Sequence, residues 1–262
     1  MTDSLILRAD DGPIATLTLN SPGSLNALST PMLQALDAAL AVLADDRSIR
    51  VVILKGEGRV FSAGHDLKEM QAARAAPDKG AAYFQTLFDL CARVMQRLPA
   101  LPQPVIAQVH GLAAAAGCQL AASCDLVTAT EDARFGVNGV NIGLFCSTPM
   151  VALSRKVPAA VAFEMLTTGE FITAPRAREV GLVNRTAAPE ALDEVTRTLA
   201  RTLAAKLKAA VKVGKSAFYD QLGLPLDAAY RHCGAVMVEN MLWRDTDEGI
   251  SAFLEKRKPD WA

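Results

Sequence analysis

The chain has 262 residues, enough for one large domain or two small ones at roughly 150 residues each. Its 27 Lys and Arg balance 28 Asp and Glu, leaving a net charge of -1 and excluding the basic excess that nucleic acid or an anionic membrane surface demands. With 51% hydrophobic and 21% charged residues, the chain can bury a large core and is not disordered. Five cysteines with no CxxC pair and only three histidines point to neither a disulfide framework nor a metal site. The N-terminal stretch MTDSLILRADDG carries charges and no long apolar core, so it does not read as a signal peptide, and a cytoplasmic protein is expected. The most apolar window, Val105 to Ala122, contains Gln108, His110 and Gln119; it reads as buried protein rather than a membrane span.

In chain order, Ser4 to Arg8 and Ile14 to Leu19 alternate about Asp10-Asp11-Gly12-Pro13, the pattern of a hairpin. Ser29 is placed to cap a helix that carries Pro31 in its first turn and Met32, Leu33, Leu36, Leu40 and Leu43 on one face. Val51 to Leu54 and Val105 to Val109 are short apolar runs of the kind that form strands buried on both faces. Between them Ala81 to Arg97 reads as a helix stopped by Pro99 and Pro102. Strands alternating with helices predict an α/β core. From about residue 190 the pattern changes to four successive helices, Ala191–Leu207, Ala209–Leu222, Leu226–Leu242 and Thr246–Lys256. The chain is therefore divided into an α/β core, 1–190, and a helical C-terminal region, 191–262.

Three segments beside these strands suit chemistry. In Phe61–Met70 the small residues Ser62, Ala63 and Gly64 let backbone amides approach a ligand, and Asp66 is placed to cap the following helix. Gly111–Leu120 follows a strand and opens a helix near Ala116, where free amides and the helix dipole favour negative charge. Phe135–Gly143 reads as a loop with two Asn and three Gly. Each taken alone is also an ordinary turn. No dinucleotide-binding turn, P-loop or Ser-His-Asp arrangement is present.

Taken together, in this order and spacing, the three segments resemble the crotonase (enoyl-CoA hydratase/isomerase) family of acyl-coenzyme-A enzymes. Ser24–Leu28 is similar to the family's coenzyme-A loop, and Phe253–Pro259 to its C-terminal end. The resemblance covers nearly the whole chain. It implies a spiral of ββα units followed by a helical trimerisation region that caps a neighbouring site, assembled as a trimer or dimer of trimers. It further implies an acyl-CoA thioester whose carbonyl lies between the backbone N–H groups of His65 and Ala116. Leu25, Ala27, Ala63, Asp66, Leu67, Leu112, Asn138, Gly139, Ile142, Ser147 and Phe253 would line the substrate, and Lys256 would reach the coenzyme-A phosphates from a neighbouring subunit. Coenzyme A enters as part of the substrate, and no separate cofactor is implied.

The departures set the expected chemistry. The two glutamates that activate water in hydratases of the family align with Gln119, which carries no proton at neutral pH, and Gly139, which has no side chain. In this the chain resembles the subgroup called enoyl-CoA hydratase domain-containing proteins, and little hydration is expected. Candidates to replace the glutamates are His65, Asn138, Asn141, Cys146, Ser147 and Thr148. One alternative is decarboxylation of a malonyl-type thioester, with His65 clamping the carboxylate. Another is a non-catalytic acyl-CoA binder or oligomeric scaffold.

Overall fold

The computed structural model describes residues 4–261. Residues 1–3, with the start of MTDSLILRADDG and the outer limit of 1–190, lie outside the described residues, as does Ala262 at the end of 191–262. The chain opens on the expected hairpin of β1 (Ile6–Asp11) and β2 (Ile14–Leu19). Their two-residue connection starts at Gly12, whose φ of +56° suits the primed turns that match strand twist. Helix α1 (Thr30–Asp45) begins as anticipated, with Ser29 Oγ accepting from the Met32 amide and all five predicted face residues buried. Each fully buried Leu of that face contributes about 1.5–3 kcal/mol by removal from water.

The remaining core elements are β3 (Val51–Gly56), α2 (Leu67–Ala73), α3 (Ala81–Ala100), β4 (Val105–Val109), β5 (Leu112–Ala114) and α4 (Ala116–Ser123). They continue through β6 (Leu126–Thr130), β7 (Arg134–Gly136), α5 (Pro149–Leu153), α6 (Ala159–Thr168), β8 (Ile172–Thr173), α7 (Ala174–Glu179) and β9 (Arg185–Ala187). Helices α8 (Leu192–Ala204), α9 (Lys208–Gln221), α10 (Leu226–Met241) and α11 (Arg244–Leu254) close the chain without an intervening strand. Two sequence expectations need correction. Pro99 does not stop α3 but sits in its last turn, where the missing N–H removes one bond near the end of the ladder, and the helix closes when Leu101 N–H donates to Arg97 O. Phe135–Gly143 is not a plain loop: it contributes β7 and a 3₁₀ turn over Asn138–Ile142.

The large sheet has the order β1-β2-β3-β4-β6-β9 and is parallel throughout except for the β1–β2 hairpin. A small second sheet, β5-β7-β8, takes the short segments that follow β4 and β6 and adds β8 after α6, and Ser62, beyond β3, joins it through a bridge to Ala113. A long strand, a short strand and a helix, as in β4-β5-α4, make one ββα unit of the kind the resemblance implies. Strands β2 and β4 are buried along their whole length, because the sheet is covered on both faces. One face carries the main core of α1, α3 and α4; on the other, Ile14, Val51, Ile53 and Ile106 pack against Leu199, Ala200 and Ala204 of α8.

Helix α9 is pinned to this core by a buried ion pair. Lys215 Nζ donates to Asp125 Oδ2 at 2.7 Å and to the carbonyls of Leu98 and Gln103 at 2.9 Å each, so all three of its protons are used. The Asp125 carboxylate also accepts from Val105 N–H at 2.6 Å and Tyr219 O–H at 2.7 Å. Burial pushes the Lys215 ammonium down and the Tyr219 phenol up. Helices α10 and α11 each bury a single alanine and expose Leu226, Tyr230, Met237 and Phe253. Among the described residues no helix is long and apolar enough to cross a membrane, and no group of three His, Cys, Asp or Glu is placed to hold a metal ion.

Candidate functional site

The loop after β3 is built to lie against the turn before α4. Ser62 N–H donates to Leu112 O at 3.2 Å and Ser62 O accepts from Ala114 N–H at 3.0 Å, so the loop runs as an extra strand beside β5. Behind it, the buried Asn26 ties three backbones together, accepting from Ser21 N–H and donating to the carbonyls of Glu57 and Val60. Leu25 O accepts from Ala63 N–H and Leu28 N–H donates to Gly64 O. Gly64, at φ +93°, can come this close only without a side chain: a Cβ would stand 2.9 Å from Ala114 O and 3.3 Å from Ala116 N.

On the facing segment Ala115 has φ 48° and ψ −117°, a conformation normally left to Gly in the first corner of a type II′ turn. A non-Gly residue held there costs roughly 1–3 kcal/mol and stays only because its surroundings fix it, here partly by Ala115 N–H donating to Gly136 O at 2.8 Å. The strain turns the chain so that Ala116 becomes the first residue of α4. Ala116 itself is not among the residues with positive φ, so the methyl group is no obstacle there. Neither the His65 nor the Ala116 N–H donates to another described residue. Two undonated amides thus stand on abutting segments, one of them in the first turn of a helix.

Both residues wall a cavity of about 460 Å³. Of the residues anticipated from sequence, Ala63, His65 and Leu67 line it from the first loop, and Leu112 and Ala116 from the second. Asn138, Gly139 and Ile142 line it from the third, and Ser147 from the chain that follows it. Leu25, Ala27, Asp66, Phe253 and Lys256 do not line it. Leu25 and Ala27 flank the Asn26 tie, and Asp66 caps α2, its Oδ1 accepting from the amides of Lys68 and Glu69. Phe253 and Lys256 sit exposed at the end of α11. The sequence reading missed Met70, Phe88, Phe145 and Phe171, which complete an apolar wall. Met70 closes the first segment without being given a role, Phe88 lies within the predicted helix Ala81–Arg97, and nothing local in Phe171 ties it to residues 61–70.

The expected replacements for the glutamates separate here. Gln119 is turned from the cavity toward α3, its Oε1 lying 3.9 Å from Cys91 Sγ. Asn141 also faces away, donating to Gly169 O. Gly139 admits no side chain: a Cβ would stand 2.3 Å from Leu144 O and 2.8 Å from Cys146 Sγ. Leu144 and Cys146 thus occupy the space a side chain at 139 would need. Cys146 accepts from Gly139 N–H at 3.3 Å, and burial pushes its thiol up, so it stays a thiol at neutral pH and is no ready nucleophile.

His65 is the one imidazole in the cavity wall. Its Nδ1 lies 3.0 Å from Leu28 O; a carbonyl only accepts, so Nδ1 carries the proton and Nε2 a bare lone pair. Nε2 is buried with no partner, and the ring meets Phe88 edge-on at 5.8 Å between centroids. Burial holds its pKa below the usual 6.5 despite the Leu28 hydrogen bond, so the ring is neutral at pH 7. The consequence for stability has a definite sign. Below pH 6.5 the unfolded chain takes up a proton that the folded ring refuses, so stability is full above that pH and falls toward the folded pKa. In that window one proton contributes a slope of up to roughly 1.4 kcal/mol per pH unit. Urea denaturation between pH 7.5 and 5.5 should show this slope in the wild type and a shallower one in His65→Gln. Identical slopes would mean the ring is not held neutral by burial.

Comparison with known proteins places this geometry among relatives. The family model for enoyl-CoA hydratase/isomerase matches residues 10–262. The chain is 46% identical over 260 residues to enoyl-CoA hydratase domain-containing protein 3, mitochondrial, of Xenopus laevis, covering 99% of this chain and 86% of that one. The Homo sapiens protein of the same name is 46% identical over 249 residues, covering 95% of this chain and 80% of that one. A crystal structure of an enoyl-CoA hydratase from Mycobacterium smegmatis superposes with a TM-score of 0.95 at 52% identity, covering 99% of both chains. These relatives correct one expectation. The cytoplasmic placement drawn from the N-terminal residues is overturned, since the frog and human proteins are both named mitochondrial.

Proposed function

We propose, from the premise that this chain belongs to the enoyl-CoA hydratase/isomerase family, that it binds an acyl-CoA thioester in the cavity and polarises its carbonyl without hydrating it at a hydratase's rate. The observation that carries this reading is the pair of undonated amides at His65 and Ala116, on abutting segments of a cavity wall. Enolate or tetrahedral chemistry puts negative charge on a thioester oxygen, and fixed donors stabilise it with no reorganisation at the moment of reaction. Loss of one such donor typically costs about 10²–10³ in rate. Coenzyme A enters as part of the substrate, and no further cofactor belongs to this reading.

The decarboxylase alternative draws little from the site. A clamp on a carboxylate needs a proton on Nε2, but the proton sits on Nδ1, and Nε2 is buried with a lone pair that would face the carboxylate. The apolar surface on α10 and α11 supports a homo-oligomer, a trimer or dimer of trimers, in which 191–262 is the assembling region. In that assembly Lys256, exposed at the end of α11, would meet the coenzyme-A phosphates of a neighbouring site.

Isotope-edited infrared spectroscopy of butyryl-CoA labelled with ¹³C at the thioester carbonyl tests this reading. The bound carbonyl should absorb at lower frequency than the free one. Lys256→Ala should keep that shift but bind more weakly, with reduced salt dependence. Binding without a shift would leave a passive acyl-CoA binder, and absence of binding would remove the reading altogether.

A further inference from the structure

Building on the acyl-CoA reading, we infer that the cavity selects thioesters whose acyl tail is uncharged and apolar, and rejects tails that end in a carboxylate. Among the described residues, its walls hold no Asp, Glu, Lys or Arg. Titratable groups are confined to His65 and Cys146, the first with its proton committed to Leu28 O and the second accepting from Gly139 N–H. Beyond the paired amides the wall is mostly apolar, with Met70, Phe88, Leu144, Phe145 and Phe171 among its larger side chains, and the remaining polar side chains, Asn138, Ser147 and Thr148, are neutral.

Two physical consequences follow. An apolar tail is drawn into this space by the area it removes from water. A terminal carboxylate must shed its hydration with no cation to replace it, and neutral donors recover only part of that loss. The rejection comes from charge rather than length, since the carboxylate adds little volume.

Calorimetric titration with three thioesters of one backbone separates these causes. Hexanoyl-CoA and adipoyl-CoA share six acyl carbons and differ in the terminal carboxylate, and the methyl ester of adipoyl-CoA removes the charge while keeping the oxygens. Hexanoyl-CoA should bind at least about 100-fold more tightly than adipoyl-CoA, with the ester close to hexanoyl-CoA. Equal or tighter binding of adipoyl-CoA would overturn the inference and leave the acyl-CoA reading intact. An ester as weak as adipoyl-CoA would assign the rejection to size and also overturn it. If none of the three binds, both the inference and the reading beneath it fail.

Discussion

Crotonyl-CoA should be hydrated by the purified protein at least about 10⁴-fold more slowly than by a hydratase with both glutamates. Positioned acids and bases each contribute typically about 10²–10⁴ to such a rate, and here both are gone. The structure strengthens the sequence argument, because no carboxylate replaces them anywhere in the cavity wall among the described residues. It also changes what a repair experiment should give. Sequence alignment alone suggests that Gln119→Glu with Gly139→Glu would restore the missing pair. The position of Gln119 would instead bury a carboxylate beside Cys91, between α3 and α4, where it would take up a proton rather than activate water. At 139 a side chain meets the Leu144 carbonyl at 2.3 Å, so the segment that folds into the cavity must first be displaced. The double variant should therefore gain no substantial hydration and should be less stable than wild type. Coupled spectrophotometric assays of both proteins check this. Wild-type turnover at ordinary hydratase rates would refute the first expectation, and a large gain in the double variant the second.

Lys215→Met should cost about 3–5 kcal/mol of folding stability, the usual loss when one member of a buried ion pair is removed. The methionine keeps most of the side chain's length, so the loss reports the charge more than a cavity. What it leaves behind is the Asp125 carboxylate with only Val105 N–H and Tyr219 O–H as donors, together with the orphaned carbonyls of Leu98 and Gln103. Asp125→Asn on the same background removes the uncompensated charge while an amide oxygen can still accept, so the double variant should recover part of the loss. Guanidinium denaturation of the two singles and the double gives the coupling. A loss below about 1 kcal/mol for Lys215→Met would place the pair in the class of weak exposed bridges and refute its role in holding α9.

Much of the molecule was legible one segment at a time. Ser29 and Asp66 cap helices, Gly12 turns a hairpin, and the apolar run Val105–Val109 is a strand buried on both faces. Each of these follows from forces acting within a few residues, where period, cap chemistry and backbone preference leave little choice. Order and spacing of the three loops then pointed to the family, and that resemblance in turn implied the roles of the His65 and Ala116 amides. Other features were decided only by contacts between distant segments. Asp125 and Lys215 are 90 positions apart, and nothing near either one announces the other. Gly139 looked like a missing acid, yet the packing of Leu144 and Cys146 makes it a place where no side chain fits. Gln119 occupies the aligned position but faces Cys91, because an alignment fixes where a residue lies along a helix and not which neighbours its side chain meets. The uncharged character of the cavity belongs to this second kind. It is a property of residues drawn from several separate elements, and exists only once folding has brought their side chains around one volume.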